Sequence, residues 1–178
     1  MTSVALHPRI REVITALTDA QHETEIVCAA ITPDQESRRL GDGWTVAQVV
    51  EHMAIVDDGA GRIVNGIAKQ VAGTAETEES PVSPSLARYR VPDPSVRKVV
   101  APDVVHPTGG ATVAESVARM QHSRARLIAL LESVSGTALG AASFPHPIFG
   151  PLDGYQWGLL AAQHQLRHLV QLRTILAS

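Results

Sequence analysis

The stretch GYQWGLLAAQHQLRHLVQLRTILA, residues 154–177, decides the fold of this chain. It has no proline, and Gly158 is the one weak position in its interior. Apolar residues recur along it at spacings of three and four, as in an amphipathic helix. His164 and His168 stand four residues apart, so a helix places both imidazoles on one face, about 6 Å apart along the axis. The stretch predicts a long helix with two histidines facing inward.

An inward pair of histidines has two interpretations. They are either neutral core residues, each hydrogen-bonded to a carbonyl, or two ligands of a metal ion, since one helical turn is the spacing that a metal needs. Gln165 follows the first histidine, where the His-Glu-x-x-His motif of metalloproteases has its general base. The pair alone leaves both interpretations open, but the missing glutamate argues against peptide hydrolysis.

Three further segments have helical periodicity. The first runs from about Arg9 to Ala30, with Pro8 at its start, and the second from Val46 to about Ala72. The third follows Thr112 and stops at Ser135-Gly136. Three helices begin with capping-box patterns: Thr45-x-x-Gln48, Thr112-x-x-Glu115 and Asp153-x-x-Gln156. On the third helix the following residues are predicted to point mostly outward: Glu115, Arg119, His122, Arg124, Arg126 and Glu132.

Residues 73–111 differ in character, being rich in small, acidic and proline residues. A connection this long inside a domain is unusual unless it is functional or crosses the fold. A helix of about 27 residues spans roughly 40 Å, and about a dozen extended residues cover that length. We therefore predict an irregular crossover that leaves the second and third long helices parallel, in an all-α four-helix bundle forming one domain over residues 1–178. For residues 74–85 a disordered acidic loop is an equal alternative.

Composition excludes several classes of function. The 178 residues carry a formal net charge of −3 without a cluster of Lys or Arg, so we expect no nucleic-acid partner. Only 3% of residues are aromatic, which favours helix packing over a β-sandwich. Cys28 is the only cysteine, so an intrachain disulfide is excluded and a reducing compartment is indicated. We predict that Cys28 is a small core residue. With no long apolar run and no signal-peptide pattern, we expect a cytoplasmic protein without membrane contact.

A third histidine lies inside the apolar stripe of the second helix. His52 follows Val49 by three residues and precedes Val56 by four. Alone it is typical of a hydrogen-bonded core histidine, but bundle cores also build metal sites from facing helices. It can join His164 and His168 only if its helix neighbours the last one, and spacing does not decide the direction of that contact. His146, in the proline-rich entry to the last helix, is expected at a turn surface, although it could approach the same site.

At this point the chain resembles a known family. The segments GWTVAQVVEHMAIVDDGAGRI and HPIFGPLDGYQWGLLAAQHQLRHLVQL are similar to those of the DinB/YfiT-like superfamily of metal-dependent bacterial proteins. The resemblance covers nearly the whole chain and implies a four-helix bundle in an up-down-down-up arrangement. It also implies a metal triad at His52, His164 and His168. Relatives with assigned activities include S-transferases that use bacillithiol or mycothiol, and a mycothiol-dependent maleylpyruvate isomerase.

Three neutral imidazoles would leave a metal ion at least one open position, for a water or a substrate thiolate. The ligand type favours Zn, Ni or Fe over Mg or Ca. Ring N–H groups of the ligands need acceptors, for which Gln48, Gln171, Asp57 and Asp58 are candidates. Arg167 is expected to be a surface residue or to bind a substrate carboxylate.

The predicted function is a metal-dependent enzyme acting on a small-molecule substrate, with thiol S-transferase-like activity and a low-molecular-weight thiol as cofactor. The alternative is a non-catalytic, stress-associated metal- or ligand-binding helical protein.

A second apolar stripe on the last helix packs on the first helix or, alternatively, forms the seam of a homodimer. Its members are Leu159, Ala162, Leu166, Leu169 and Leu176.

Overall fold

Four long helices carry the fold. The computed structural model describes residues 5–93, 95 and 101–178. The long helices are α1 (Pro8–Ala29), α2 (Val46–Gln70), α4 (Val113–Ser133) and α5 (Gly154–Leu176); a short helix, α3, lies at Ser83–Ala87. Strands β1 (Ser143–His146) and β2 (Gly150–Asp153) form an antiparallel hairpin that leads into α5. The predicted helical bundle is confirmed, whereas α3 and the hairpin were not predicted.

Side-chain caps fix the starts of three of these helices. In each cap the side chain of the first residue accepts a hydrogen bond from the backbone N–H three residues on. The side chain at that later position accepts one from the backbone N–H of the first residue. These bonds satisfy N–H groups that have no partner inside the helix. The capping pairs are Thr45 with Gln48, Thr112 with Glu115, and Asp153 with Gln156. All three predicted capping boxes are confirmed.

Contacts at matched positions give the direction of α5 relative to its neighbours. Near the start of both helices the Arg9 guanidinium of α1 lies over the Tyr155 ring of α5, and near their ends Glu23 pairs with Arg173. Helices α1 and α5 are therefore parallel. A Cβ built on Gly154, at the start of α5, would meet Ile67 near the end of α2, which makes those two helices antiparallel.

Helix α4 completes the bundle beside α2 and α1. Asp57 of α2 accepts a hydrogen bond from Ser123 of α4. One turn further along both helices, a Cβ on Gly61 would meet Leu127, so α2 and α4 are parallel. The predicted up-down-down-up arrangement is confirmed, since α1 and α5 run one way and α2 and α4 the other.

The crossover between α2 and α4 is anchored at several places along its described length. Glu12 of α1 accepts hydrogen bonds from the backbone of Val82 and Ser83, at 2.6 and 2.8 Å. Within residues 74–85, Ala75 forms a β-bridge with Thr137. The parts of the predicted crossover at 94 and 96–100 lie outside the described residues.

One predicted surface residue is buried. Arg124 of α4 was expected to point outward, but it is 0% exposed and forms an ion pair with Asp57 of α2, which is 2% exposed. Its guanidinium also donates to the carbonyl of Leu17 on α1, at 3.0 Å. The prediction was wrong because a charged residue can occupy a helix interface when a partner on the facing helix compensates its charge.

The second apolar stripe of α5 contributes to the core. Leu159, Ala162 and Leu169 are at most 4% exposed, and Leu166 and Leu176 pack partly buried against the core clusters. The stripe packs within the bundle core, which agrees with the first of the two alternatives.

Cys28 is a buried core residue, as predicted, and burial raises the pKa of its thiol to about 11.

Candidate metal centre

The three histidines selected from the sequence converge at the interface of α2 and α5. The Nε2 atom of His164 lies 3.2 Å from Nε2 of His52 and 3.1 Å from Nε2 of His168. One potential ligand atom from each residue lies within 4.8 Å of the other two. His52 is 3% exposed, and the other two histidines are partly exposed. A shared site is thus formed by residues that are far apart in the chain.

The antiparallel packing of α2 and α5 explains the convergence. His164 and His168 are one turn apart, so they share a face of α5. His52 lies in the second turn of α2, and the antiparallel direction brings that turn level with the middle of α5. The sequence left this direction open, and the contact between Ile67 and Gly154 near the other end fixes it.

Hydrogen bonds on the far side of two rings orient their lone pairs. Nδ1 of His52 lies 2.7 Å from the carbonyl oxygen of Val105, and Nδ1 of His168 lies 2.8 Å from Oε1 of Gln171. Both oxygens can only accept, so each neutral ring carries its proton on Nδ1. Each Nε2 therefore keeps its lone pair, and both lone pairs are available at the centre of the cluster.

Burial keeps all three rings neutral at physiological pH. Desolvation lowers the pKa of His52, and it lowers that of His168 to about 4. The pKa of His164 lies well below its usual value because of burial and the neighbouring histidines. Neutral imidazole is the form that binds a metal ion.

The geometry of the cluster fits a bound metal ion better than it fits a set of hydrogen bonds among the three rings. A neutral His164 has one ring proton, so its Nε2 can donate to His52 or to His168 but not to both. Two ligand nitrogens about 2.05 Å from a tetrahedral Zn²⁺ would be roughly 3.3 Å apart, close to the observed 3.1 and 3.2 Å. The donor set, three neutral imidazoles, suits a divalent transition metal.

Of the four candidate acceptors for the N–H groups of the three histidines, the structure places one beside a histidine of the cluster. Gln171 contacts His168, as predicted. The prediction is wrong for Gln48, whose Oε1 accepts the Thr45 N–H of the capping box. It is wrong for Asp57, which is paired with Arg124, and for Asp58, which pairs with Arg62 and Arg126.

The acceptor for His52 was missed by sequence reasoning. It is the backbone carbonyl of Val105, the last residue of a short 3-10 helix in the crossover, Asp103–Val105. Every residue has a carbonyl, so no residue type marks this one. Trp44 covers the same histidine, with ring centroids 4.7 Å apart, and His106 packs edge-on against Trp44 at 5.7 Å.

His122 and His146, whose positions were also predicted from the sequence, lie outside the cluster. His122 is exposed on α4, as predicted. His146 is partly buried in the hairpin rather than at the surface of a turn, because its ring stacks on Phe149 at 4.6 Å and lies beside Trp157 at 5.2 Å. Its Nδ1 accepts hydrogen bonds from the backbone N–H groups of Ile148 and Phe149.

Arg167 is tied to the crossover. Its guanidinium donates to the carbonyls of Asp93 and Val91, at 2.7 and 3.2 Å, and the residue is partly buried. The expectation of a surface residue is corrected by these contacts. Positive charge at Arg167 helps to lower the pKa values of His164 and His168.

Comparisons with known proteins agree with this architecture. A solved structure described as "TT2238, a four-helix bundle protein" is similar, with a TM-score of 0.61 and 21% identity over 95% of this chain and 99% of that chain. No curated protein matches the sequence. Within the described residues, no helix has both the length and the apolar character needed to cross a membrane. The family model of the DinB superfamily matches residues 7–172, and the chain therefore belongs to the DinB superfamily.

Proposed function

We propose that this protein is a metal-dependent enzyme whose divalent transition metal, Zn, Ni or Fe, is held by His52, His164 and His168. The observation that carries the proposal is the meeting of three neutral imidazoles through their Nε2 atoms, at 3.1 and 3.2 Å. Metal binding is a property of the superfamily to which the chain belongs. A metal held by these three imidazoles would keep an open position, where it would acidify a water or hold a substrate thiol as thiolate.

The surroundings of the triad favour thiol chemistry over hydrolysis. Hydrolysis at such a site commonly uses a carboxylate as general base. The metal-ligating groups that cluster here among the described residues include no carboxylate. Gln165 is 1% exposed, and its amide N–H donates to the sulfur of Met120 at 3.4 Å; an amide does not act as a general base.

We further propose an S-transferase-like reaction with a thiol of the bacillithiol or mycothiol type. The protein's own thiol is a poor nucleophile, because Cys28 is 6% exposed and burial raises its pKa to about 11. We therefore assign the thiolate of the proposed reaction to a small molecule. Its sulfur would bond to an electrophilic carbon of the substrate while the leaving group departs with the bonding electrons. His164 and His168 are partly exposed, which supports access of such a molecule to the triad.

Elemental analysis of the purified protein tests the first part of the proposal. We expect one equivalent of Zn, Ni or Fe per chain, removable by a chelator. Protein that neither retains nor takes up these metals would overturn the metal assignment.

A thiol panel tests the second part. Bacillithiol, mycothiol and glutathione would each be offered with 1-chloro-2,4-dinitrobenzene, and thioether formation followed by absorbance. Metal-dependent transfer from one of the thiols is expected, with loss in His168→Ala. Stoichiometric metal without transfer from any thiol would favour the alternative, a non-catalytic metal-binding protein. The near-complete burial of His52 is the observation that supports this alternative.

A further inference from the structure

Glu51 is a buried carboxylate next to a metal-site histidine in sequence, and it is 4% exposed. It does not belong to the histidine cluster. Its oxygens instead bind the crossover: Oε1 accepts from the N–H and hydroxyl of Thr108, at 3.0 and 2.6 Å, and Oε2 accepts from the N–H of Gly109, at 2.8 Å. Such a carboxylate, surrounded by three donors, holds the facing backbone firmly.

The segment that Glu51 holds is the one that orients His52. Val105, whose carbonyl lies 2.7 Å from Nδ1 of His52, precedes Thr108 by three residues. Gly109 has φ +77°, a conformation that glycine adopts without strain and that presents its N–H to Glu51. Adjacent residues of α2 thus fasten the segment at two points.

The rest of the segment supplies little support of its own. Val104 is 86% exposed, so its side chain contributes little packing. His106 bonds within the segment, with Nε2 2.8 Å from the carbonyl of Ala101, and its contact with Trp44 is edge-on, with ring centroids 5.7 Å apart. Loss of the carboxylate would therefore loosen the segment and, with it, the Val105 carbonyl at His52.

We propose that Glu51 is a positioning residue of the metal site, acting through Thr108 and Gly109 to keep the Val105 carbonyl on Nδ1 of His52. This inference rests on the proposed function insofar as His52 is a metal ligand. A hydrogen-bond partner such as the Val105 carbonyl fixes the tautomer of a ligand histidine, and its loss typically weakens metal binding by about 10–100-fold.

The test compares Glu51→Gln with Glu12→Gln in the full chain. Glu12 is a matched control, because its carboxylate also clamps crossover backbone, at Val82 and Ser83, but far from the triad in sequence. Competition with a chelator measures Zn²⁺ affinity. We expect Glu51→Gln to bind Zn²⁺ about tenfold more weakly and Glu12→Gln to bind as the wild type does. Equal losses in both variants, or none in Glu51→Gln, would overturn the inference.

A second readout needs no metal. Nitrogen-15 NMR of the metal-free protein reports which ring nitrogen of His52 is protonated. We expect Nδ1–H in the wild type and in Glu12→Gln, and a mixture of tautomers in Glu51→Gln. Thr108→Val, which removes one donor, should give an intermediate result and serves if Glu51→Gln does not fold. An unchanged His52 tautomer in these variants would overturn the role of Glu51, whereas a wild type that binds no Zn²⁺ would overturn the proposed function.

Discussion

Nε2 of His52 on α2 lies 3.2 Å from Nε2 of His164 on α5, although 112 residues separate the two in the chain. Burial keeps both rings neutral by lowering their pKa values. Two neutral imidazoles at this distance share at most one hydrogen bond, and His168 competes for the same His164 nitrogen at 3.1 Å. At least one Nε2 lone pair in the cluster therefore has no proton donor among the three rings.

Removing one imidazole should abolish metal retention. In His168→Ala two ligands remain, which is one fewer than zinc sites with an open position commonly have. We expect metal content to fall from one equivalent to near zero, with the helical circular dichroism spectrum retained. His122→Ala, at an exposed position on α4, is the control and should keep its metal. Full metal content in His168→Ala would contradict the ligand assignment.

The amide of Gln171 should tune the affinity of the site. It lies 2.8 Å from Nδ1 of His168, and its loss in Gln171→Leu should weaken metal binding by about 10–100-fold. Gln171→Glu keeps an acceptor and should restore the affinity. Titration with Zn²⁺ against a competing chelator measures both variants. Wild-type affinity in Gln171→Leu would show that this hydrogen bond is dispensable.

The stability of the metal-free protein should decrease in mild acid. The folded chain holds His168 at a pKa of about 4, and His164 well below its usual value, whereas in the unfolded chain histidine titrates near about 6.5. The unfolded state therefore takes up more protons as the pH falls from about 6.5 towards 4, and the free energy of unfolding falls with it. Urea unfolding between these pH values measures the effect, which His168→Gln should reduce. A flat profile in the metal-free wild type would contradict the burial of neutral rings.

Breaking the buried ion pair should cost far more than breaking an exposed one. Asp57→Asn leaves the charge of Arg124 uncompensated at a side chain 1% exposed, and we expect a loss of about 3–5 kcal/mol in the free energy of unfolding. Arg126, whose side chain is 58% exposed, pairs with Asp58, and Arg126→Gln should cost less than about 1 kcal/mol. Urea denaturation of both variants gives the comparison. Similar losses in the two would mean that the buried pair contributes nothing special.

Close packing of α1 on α5 should make Gly158 intolerant of a side chain. A Cβ there would lie 2.7 Å from Cγ1 of Val13, which is 0% exposed, so Gly158→Ala should destabilise the fold by about 1–3 kcal/mol. Gly66 of α2 has nothing within 4 Å of such a Cβ, and Gly66→Ala should stabilise the helix by about 0.5–1 kcal/mol. We expect thermal unfolding to show a lower melting temperature for Gly158→Ala and a higher one for Gly66→Ala. A neutral Gly158→Ala would show that the two helices can separate at low cost.

Much of the fold could be read from local patterns. The capping pairs at Thr45, Thr112 and Asp153 marked helix starts that the structure reproduces to the residue. The β1–β2 hairpin was missed, because Pro145 and Pro151 face each other in it and proline normally argues against a strand. Arg124 was misplaced because a pattern of polar residues cannot distinguish a solvated arginine from one whose partner lies on another helix.

The sequence by itself determined the helices, their caps and the three histidines of the candidate site, because these depend on spacings within one helical turn or on a family resemblance. Only the tertiary structure decided that α2 and α5 are antiparallel, that the Val105 carbonyl orients His52 and that Glu51 fastens the crossover. Such contacts join residues more than fifty positions apart. Their formation depends on helix direction and register, which are set by the packing of the whole core.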